Sequence, residues 1–173
     1  MSPGPGGSPG DDARRGGRAG GRREEGRERP PVLVLGYGSE LRRDDAAGRI
    51  VAEALAERAL PGVEARPLHQ LTPEVAEDLS GRTVVFVDAT VTREAVDVVA
   101  LEPGDGRGPM THHVDPRGLL DLAASLDGPA TAAWVVHIPA HDLGLGTELS
   151  ARARAGVEEA VEHIVALCEA ATG

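Results

Sequence analysis

Three stretches carry side chains that can do chemistry together. Two adjacent carboxylates, Asp44 and Asp45, follow the turn Gly36-Tyr37-Gly38; Asp88 closes the apolar run TVVFVD; His112 and His113 sit in a glycine-rich segment. Two carboxylates and an imidazole suit a borderline divalent ion such as zinc, nickel, copper or iron. Three protein ligands leave positions open for water or substrate. Each residue also has a plainer reading. Asp44 is placed to cap the following helix and Asp45 to be a first-turn acid favoured by the helix dipole. Asp88 has less of an alternative, because an unpaired charge at the end of a buried strand is costly. Chemistry alone does not separate His112 from His113.

The other candidates are weaker. His137 and His141 have the spacing of a helical metal pair, but Pro139 between them forbids the helix. His137 still ends a strand and is expected to line the site. His69 in a loop and His163 on a helix read as surface or core-edge residues, and Cys168 as core. Gly36-Tyr37-Gly38 starts a dinucleotide fingerprint, but Leu41 stands at the third glycine position and no ribose-binding acid ends the second strand. A flavin or nicotinamide is not expected. Ser39 lies in G-S-E and not in a G-x-S-x-G nucleophile elbow.

The elements that must position these groups are legible as an alternation. Val32–Leu35 is a continuous apolar strand, buried on both faces. Asp44–Ala59 has helical spacing through Ala47, Ile50, Val51, Ala54 and Leu55, and Pro61-Gly62 stops it. Val63–Pro67 is a second strand. Thr72-Pro73-Glu74 opens a second helix that runs to about Leu79, and Thr83–Asp88 is the third strand. Val96–Leu101 follows too closely for a parallel crossover, so it runs antiparallel to its neighbours. Asp115-Pro116 caps a third helix, Ala132–Ile138 is a fifth strand, and a last helix spans Ser150 to about Ala171. The expected fold is a three-layer α/β/α sandwich around a mostly parallel five-stranded sheet with one antiparallel strand, Val96–Leu101. Ligands then bind beyond the carboxyl ends of the parallel strands, where Asp45 and Asp88 are delivered. The segment 102–113 can span roughly 33 Å and so bring His112 back to that edge.

The bulk composition sets limits. The chain has 173 residues, enough for one core, and Phe86, Tyr37 and Trp134 are its aromatics, so that core is aliphatic. A net charge of -10 argues against a nucleic-acid partner. Residues 1–29 hold seven Arg against five acids and are rich in Gly and Pro, which predicts a disordered extension ahead of a single domain over 30–173. One cysteine excludes an intramolecular disulfide. No apolar stretch approaches the roughly 20 residues of a membrane span, and no secretory signal is present, so a cytoplasmic protein with no membrane partner is expected.

The runs VLVLGYGSELRRDDAAG, HQLTPEVAEDLSGRTVVFVDA and THHVDPRGLLDLA, in this order and ahead of a C-terminal helix, resemble the nickel–iron hydrogenase maturation endopeptidases. The resemblance covers Val32 to about Leu167 and is strongest to the branch serving soluble bidirectional-type hydrogenases. It implies an endopeptidase that removes a C-terminal extension from the hydrogenase large-subunit precursor after nickel insertion; a monomer is expected. It further implies metal contact by Asp45, Asp88 and His112, the last preferred over His113 by its spacing to Val114–Leu120. The metal would be nickel carried by the substrate and bound transiently, with Asp45 and Asp88 also the candidates for catalysis. Ser39 stands where the family usually has Asn, and Ala46 where it usually has Gly. These two departures are the ground for an alternative, a non-proteolytic nickel- or precursor-binding chaperone on the same fold.

Overall fold

A computed structural model of the chain describes residues 1, 31–104 and 114–172. The expected extension 2–29 and the histidines 112 and 113 lie outside the described residues. The strands are β1 (Val32–Tyr37), β2 (Val63–Leu68), β3 (Thr83–Thr90), β4 (Asp97–Leu101) and β5 (Ala132–Pro139); the α-helices are α1 (Ala47–Arg58), α2 (Pro116–Leu126) and α3 (Ala151–Thr172). The sheet order is β2-β1-β3-β5-β4. β1 pairs parallel with β2 and β3, β3 pairs parallel with β5, and β4 pairs antiparallel with β5 at the edge. This is the three-layer sandwich with one reversed strand that the sequence predicts.

The layers follow from alternation along the strands. Val32, Val34, Val85, Val87, Val136 and Ile138 face α1 and α3, whose Val51, Leu55, Val161 and Ile164 close that half of the core. Leu33, Leu35, Val84, Phe86 and Val135 face the other way, onto Leu79, Leu119 and Leu120. Cys168 is buried in the first cluster, as expected.

Two predicted elements differ. The second helix is a 3-10 helix, Pro73–Asp78. Pro73 and the Ser80-Gly81 break leave too few residues for an α-helix to recover its nucleation cost. The first α-helix starts at Ala47, after a separate 3-10 turn, Arg43–Ala46. Asp44 therefore does not cap α1. Its carboxylate is fully buried and turned away, toward the loop after β5.

Glycines let the turn press onto the sheet. A Cβ on Gly36 would lie 2.0 Å from the Gly48 carbonyl oxygen, and one on Gly48 would lie 2.3 Å from that of Val87. The start of α1 thus packs backbone against backbone over β1 and β3, directly above the strand ends that matter.

Candidate active site

The site lies at the carboxyl edge of the sheet. β1 ends on Tyr37 and passes into Gly38, whose N–H donates to Leu68 O at 3.2 Å, tying the turn to the end of β2. Gly38 has φ +145°, and a Cβ there would stand 1.8 Å from the Asp45 carbonyl oxygen. Only glycine fits that crossing. The chain then loops back so that the Ser39 N–H donates to Asp45 Oδ2 at 2.9 Å.

Asp45 and Asp88 line the same cleft of about 560 Å³. Tyr37 and Gly38 form one wall, and His69, Gln70 and Leu71 another. Val114, Asp115 and Pro116, at the start of α2, form the third. Asp115 is itself engaged as the α2 cap, accepting from Gly118 N at 2.7 Å.

The electrostatics separate the carboxylates. Burial pushes the Asp88 carboxyl up to about 6; the Asp45 charge also raises it, while the Ala89 N–H and the Tyr37 hydroxyl, both donating to it, pull it down. The Tyr37 hydroxyl is raised far above the ordinary phenol value, first by burial and then by the Asp88 charge it bonds. Asp88 is therefore a half-buried carboxylate oriented by two donors, with its negative charge uncompensated among the described residues. A cation placed between it and Asp45 would relieve both.

Asp44, the other half of the acid pair, has a different task. Its Oδ2 accepts from His141 N and Asp142 N at 2.9 Å and from Ser150 Oγ at 2.8 Å, and its Oδ1 accepts from Ser150 N at 2.7 Å. Burial alone would raise this carboxyl; the four donors outweigh it and hold Asp44 below the usual carboxylate range. Ser150 Oγ in turn accepts from Ala153 N at the start of α3. Asp44 thus braces the N-terminus of a helix more than a hundred residues away. A parallel bridge between Arg42 and Gly146 completes the brace, with Arg43 N donating to Gly146 O and Asp44 N to Asp142 O, each at 3.0 Å. Arg43 adopts φ +41°, an unusual conformation for a non-glycine residue, and these contacts hold it there.

Of the expected site residues, Asp45 and Asp88 come together. His112 lies outside the described residues, and among the described residues no group of three metal-binding side chains forms. His137, on β5, is the register partner of Asp88 on β3 and of Asp97 on β4, but it does not line the cleft. Its Nδ1 is buried without a hydrogen-bond partner among the described residues, and burial followed by the Arg93 charge lowers its pKa. His69 is exposed, in keeping with its reading as a surface or core-edge residue, and it also lines the cleft; the roles of Tyr37 and Gln70 were not anticipated. The available signal was topological: β2 runs parallel beside β1, so whatever follows Leu68 arrives at the same edge.

The departures at Ser39 and Ala46 leave the turn intact. Residue 39 holds Asp45 through its main-chain N–H, which any residue except proline supplies. Ala46 sits at φ -72°, ψ -10°, an ordinary right-handed conformation that does not call for glycine.

No protein-family model matches the chain, and no curated protein matches it in sequence. Solved structures do. The hydrogenase maturating endopeptidase HybD from E. coli superimposes with a TM-score of 0.61 at 25% identity, covering 80% of this chain and 91% of that one. A hydrogenase 2 maturation peptidase from a Thaumarchaeota archaeon gives a TM-score of 0.60 at 28% identity, covering 79% of this chain and 96% of that one. The HycI maturation protease of Thermococcus kodakarensis, at 23% identity and a TM-score of 0.61, shares the fold. The expected resemblance to the hydrogenase maturation endopeptidases holds over most of the chain, and these structural neighbours are peptidase hydrolases.

Proposed function

We propose that this chain, built on the fold of the hydrogenase maturation endopeptidases, removes the C-terminal extension of a nickel–iron hydrogenase large-subunit precursor once nickel has been inserted. The observation that carries this is the pairing of Asp45 and Asp88, delivered by separate strand ends to one cleft on that fold. In this reading the nickel belongs to the substrate, and the two carboxylates take it as a recognition handle. His112 is the third ligand that the family resemblance implies; two residues on, Val114 borders the cleft. A precursor without nickel would lack the shared ligands and bind weakly, which makes cleavage conditional on metal insertion.

The chemistry is attack by water on the scissile carbonyl, with the proton passing to a carboxylate and on to the leaving amine. Asp88 is the proton acceptor in this reading, because a carboxyl raised to about 6 is both ionised at neutral pH and basic enough to act. Substrate-bound nickel would polarise the carbonyl or the water when present.

The experiment is to incubate the pure protein with nickel-loaded and with nickel-free precursor and follow the precursor mass. Loss of the extension from the loaded form alone is expected. Tight binding of the loaded precursor with no change in its mass would replace this reading with the non-proteolytic chaperone. That alternative drew on Ser39 and Ala46, and neither side chain disturbs the turn.

A further inference from the structure

Exposed large apolar side chains are unevenly placed on this surface. Leaving aside Met1, those among the described residues are Leu41, Val91, Leu126 and Leu145. Leu41, Val91 and Leu145 lie in the loops that leave the carboxyl ends of β1, β3 and β5, the edge that holds Asp45 and Asp88. Leu41 and Leu145 are side by side. Gly146 N donates to Leu41 O at 3.0 Å, and Arg42 bridges Gly146 in the parallel sense, which aligns the two leucines. They are 65% and 84% exposed.

The loops beneath them are stiffly held. Asp44 gathers four donors from the far loop, and Arg43 reaches Leu145 O through Nε at 3.2 Å and Asp142 through Nη1 at 2.7 Å. Two leucines fixed in water on braced loops have no part in the core. Polar residues would serve equally well at these positions if folding were their only task.

We propose that Leu41 and Leu145 form a docking ridge for the folded body of the precursor whose C-terminal segment enters the cleft. This rests on the maturation-peptidase reading and adds the surface by which the substrate is held. Leu41 lies in the loop between Gly38 and Asp45, which both line the cleft, so a protein whose chain end reaches the two carboxylates brings its body close to this rim. The extension fills the cleft; the ridge meets the domain from which the extension emerges. A second copy of this chain fits less well. Two leucine side chains fall far short of the roughly 800 Å² per partner that a stable interface buries. They suit a transient contact whose other anchor lies in the cleft.

The test is the double variant Leu41→Ser/Leu145→Ser, with the milder Leu41→Ala/Leu145→Ala beside it and Leu126→Ser as an exposed leucine remote from the edge. Calorimetry reads binding of nickel-loaded precursor, mass spectrometry reads its processing, and light scattering reads self-association. The expected result is a Kd and KM raised about tenfold or more with kcat within about twofold. Melting temperatures should stay unchanged, and Leu126→Ser should behave as wild type. Binding by both double variants at wild-type affinity overturns the ridge, as does wild-type protein that fails to bind the precursor. A wild-type dimer that the double variants dissolve overturns the assigned occupant. Wild-type protein that binds without cleaving removes the peptidase reading, while lost binding in the double variants still upholds the ridge.

Discussion

The main-chain N–H of Ser39 holds Asp45 Oδ2 at 2.9 Å, so the turn is secured by backbone and not by the side chain at position 39. Ser39→Ala and Ser39→Asn should therefore process precursor within about threefold of wild type, since each keeps that donor. A loss of a hundredfold in Ser39→Ala would assign the hydroxyl a direct role.

Asp88→Asn should abolish processing and yet stabilise the domain. The folded pKa of about 6 lies above the unfolded value, so ionising Asp88 opposes folding. Its contribution is fully present below about pH 4 and is lost as pH rises through about 6. The shift corresponds to about 3 kcal/mol at neutral pH as an upper bound. Denaturant titration at pH 8 should show Asp88→Asn more stable than wild type, with the difference vanishing near pH 3. Equal stability at both pH values would contradict the burial of an uncompensated charge.

Asp44→Ala should cost roughly 2–3 kcal/mol at pH 7, because it takes the acceptor from the part-buried N–H donors of His141, Asp142 and Ser150. The depressed pKa means that this stabilisation is present above about pH 4 and is lost as pH falls through the folded value. The gap between variant and wild type should narrow in acid. Hydrogen exchange should report opening first at the start of α3. A drop below 1 kcal/mol at pH 7 would rule out Asp44 as the brace.

Tyr37→Phe removes a hydroxyl that donates to the charged form of Asp88. Losing a bond to the ionised form raises the pKa of Asp88 further. The acid limb of the pH–rate profile should move upward, with little change in the plateau. An unshifted limb would show that Asp88 is not the group whose ionisation limits the rate.

Gly36→Ala introduces a Cβ 2.0 Å from the Gly48 carbonyl oxygen, a contact that only backbone movement can relieve. A loss of about 3 kcal/mol or more is expected from thermal unfolding. Gly81→Ala, where the new Cβ meets nothing within 4 Å, should cost only the strain of its φ of +69°.

Much of the architecture was readable because it depends on local periodicity and on chain length. Continuous apolar runs marked β1 and β3 as central strands. The short link to Asp97–Leu101 excluded a parallel crossover and correctly reversed β4. The placement of Asp45 and Asp88 at one edge followed from the same logic. The 3-10 form of Pro73–Asp78 was missed because proline and an acid open either helix type in the same way.

By itself, then, the sequence determined the layers, the strand directions and the edge where two carboxylates meet, since burial periodicity and connection length act locally. Only the tertiary structure decided which acid does what. Asp44 and Asp45 are adjacent and chemically identical, and their local signals both suggested a helix start. Asp44 is consumed by donors from His141, Asp142 and Ser150, partners distant in sequence, while Asp45 is left facing the cleft with Asp88. His69 and Tyr37 likewise acquired their places from strand register, a pairwise property between segments that no single segment encodes.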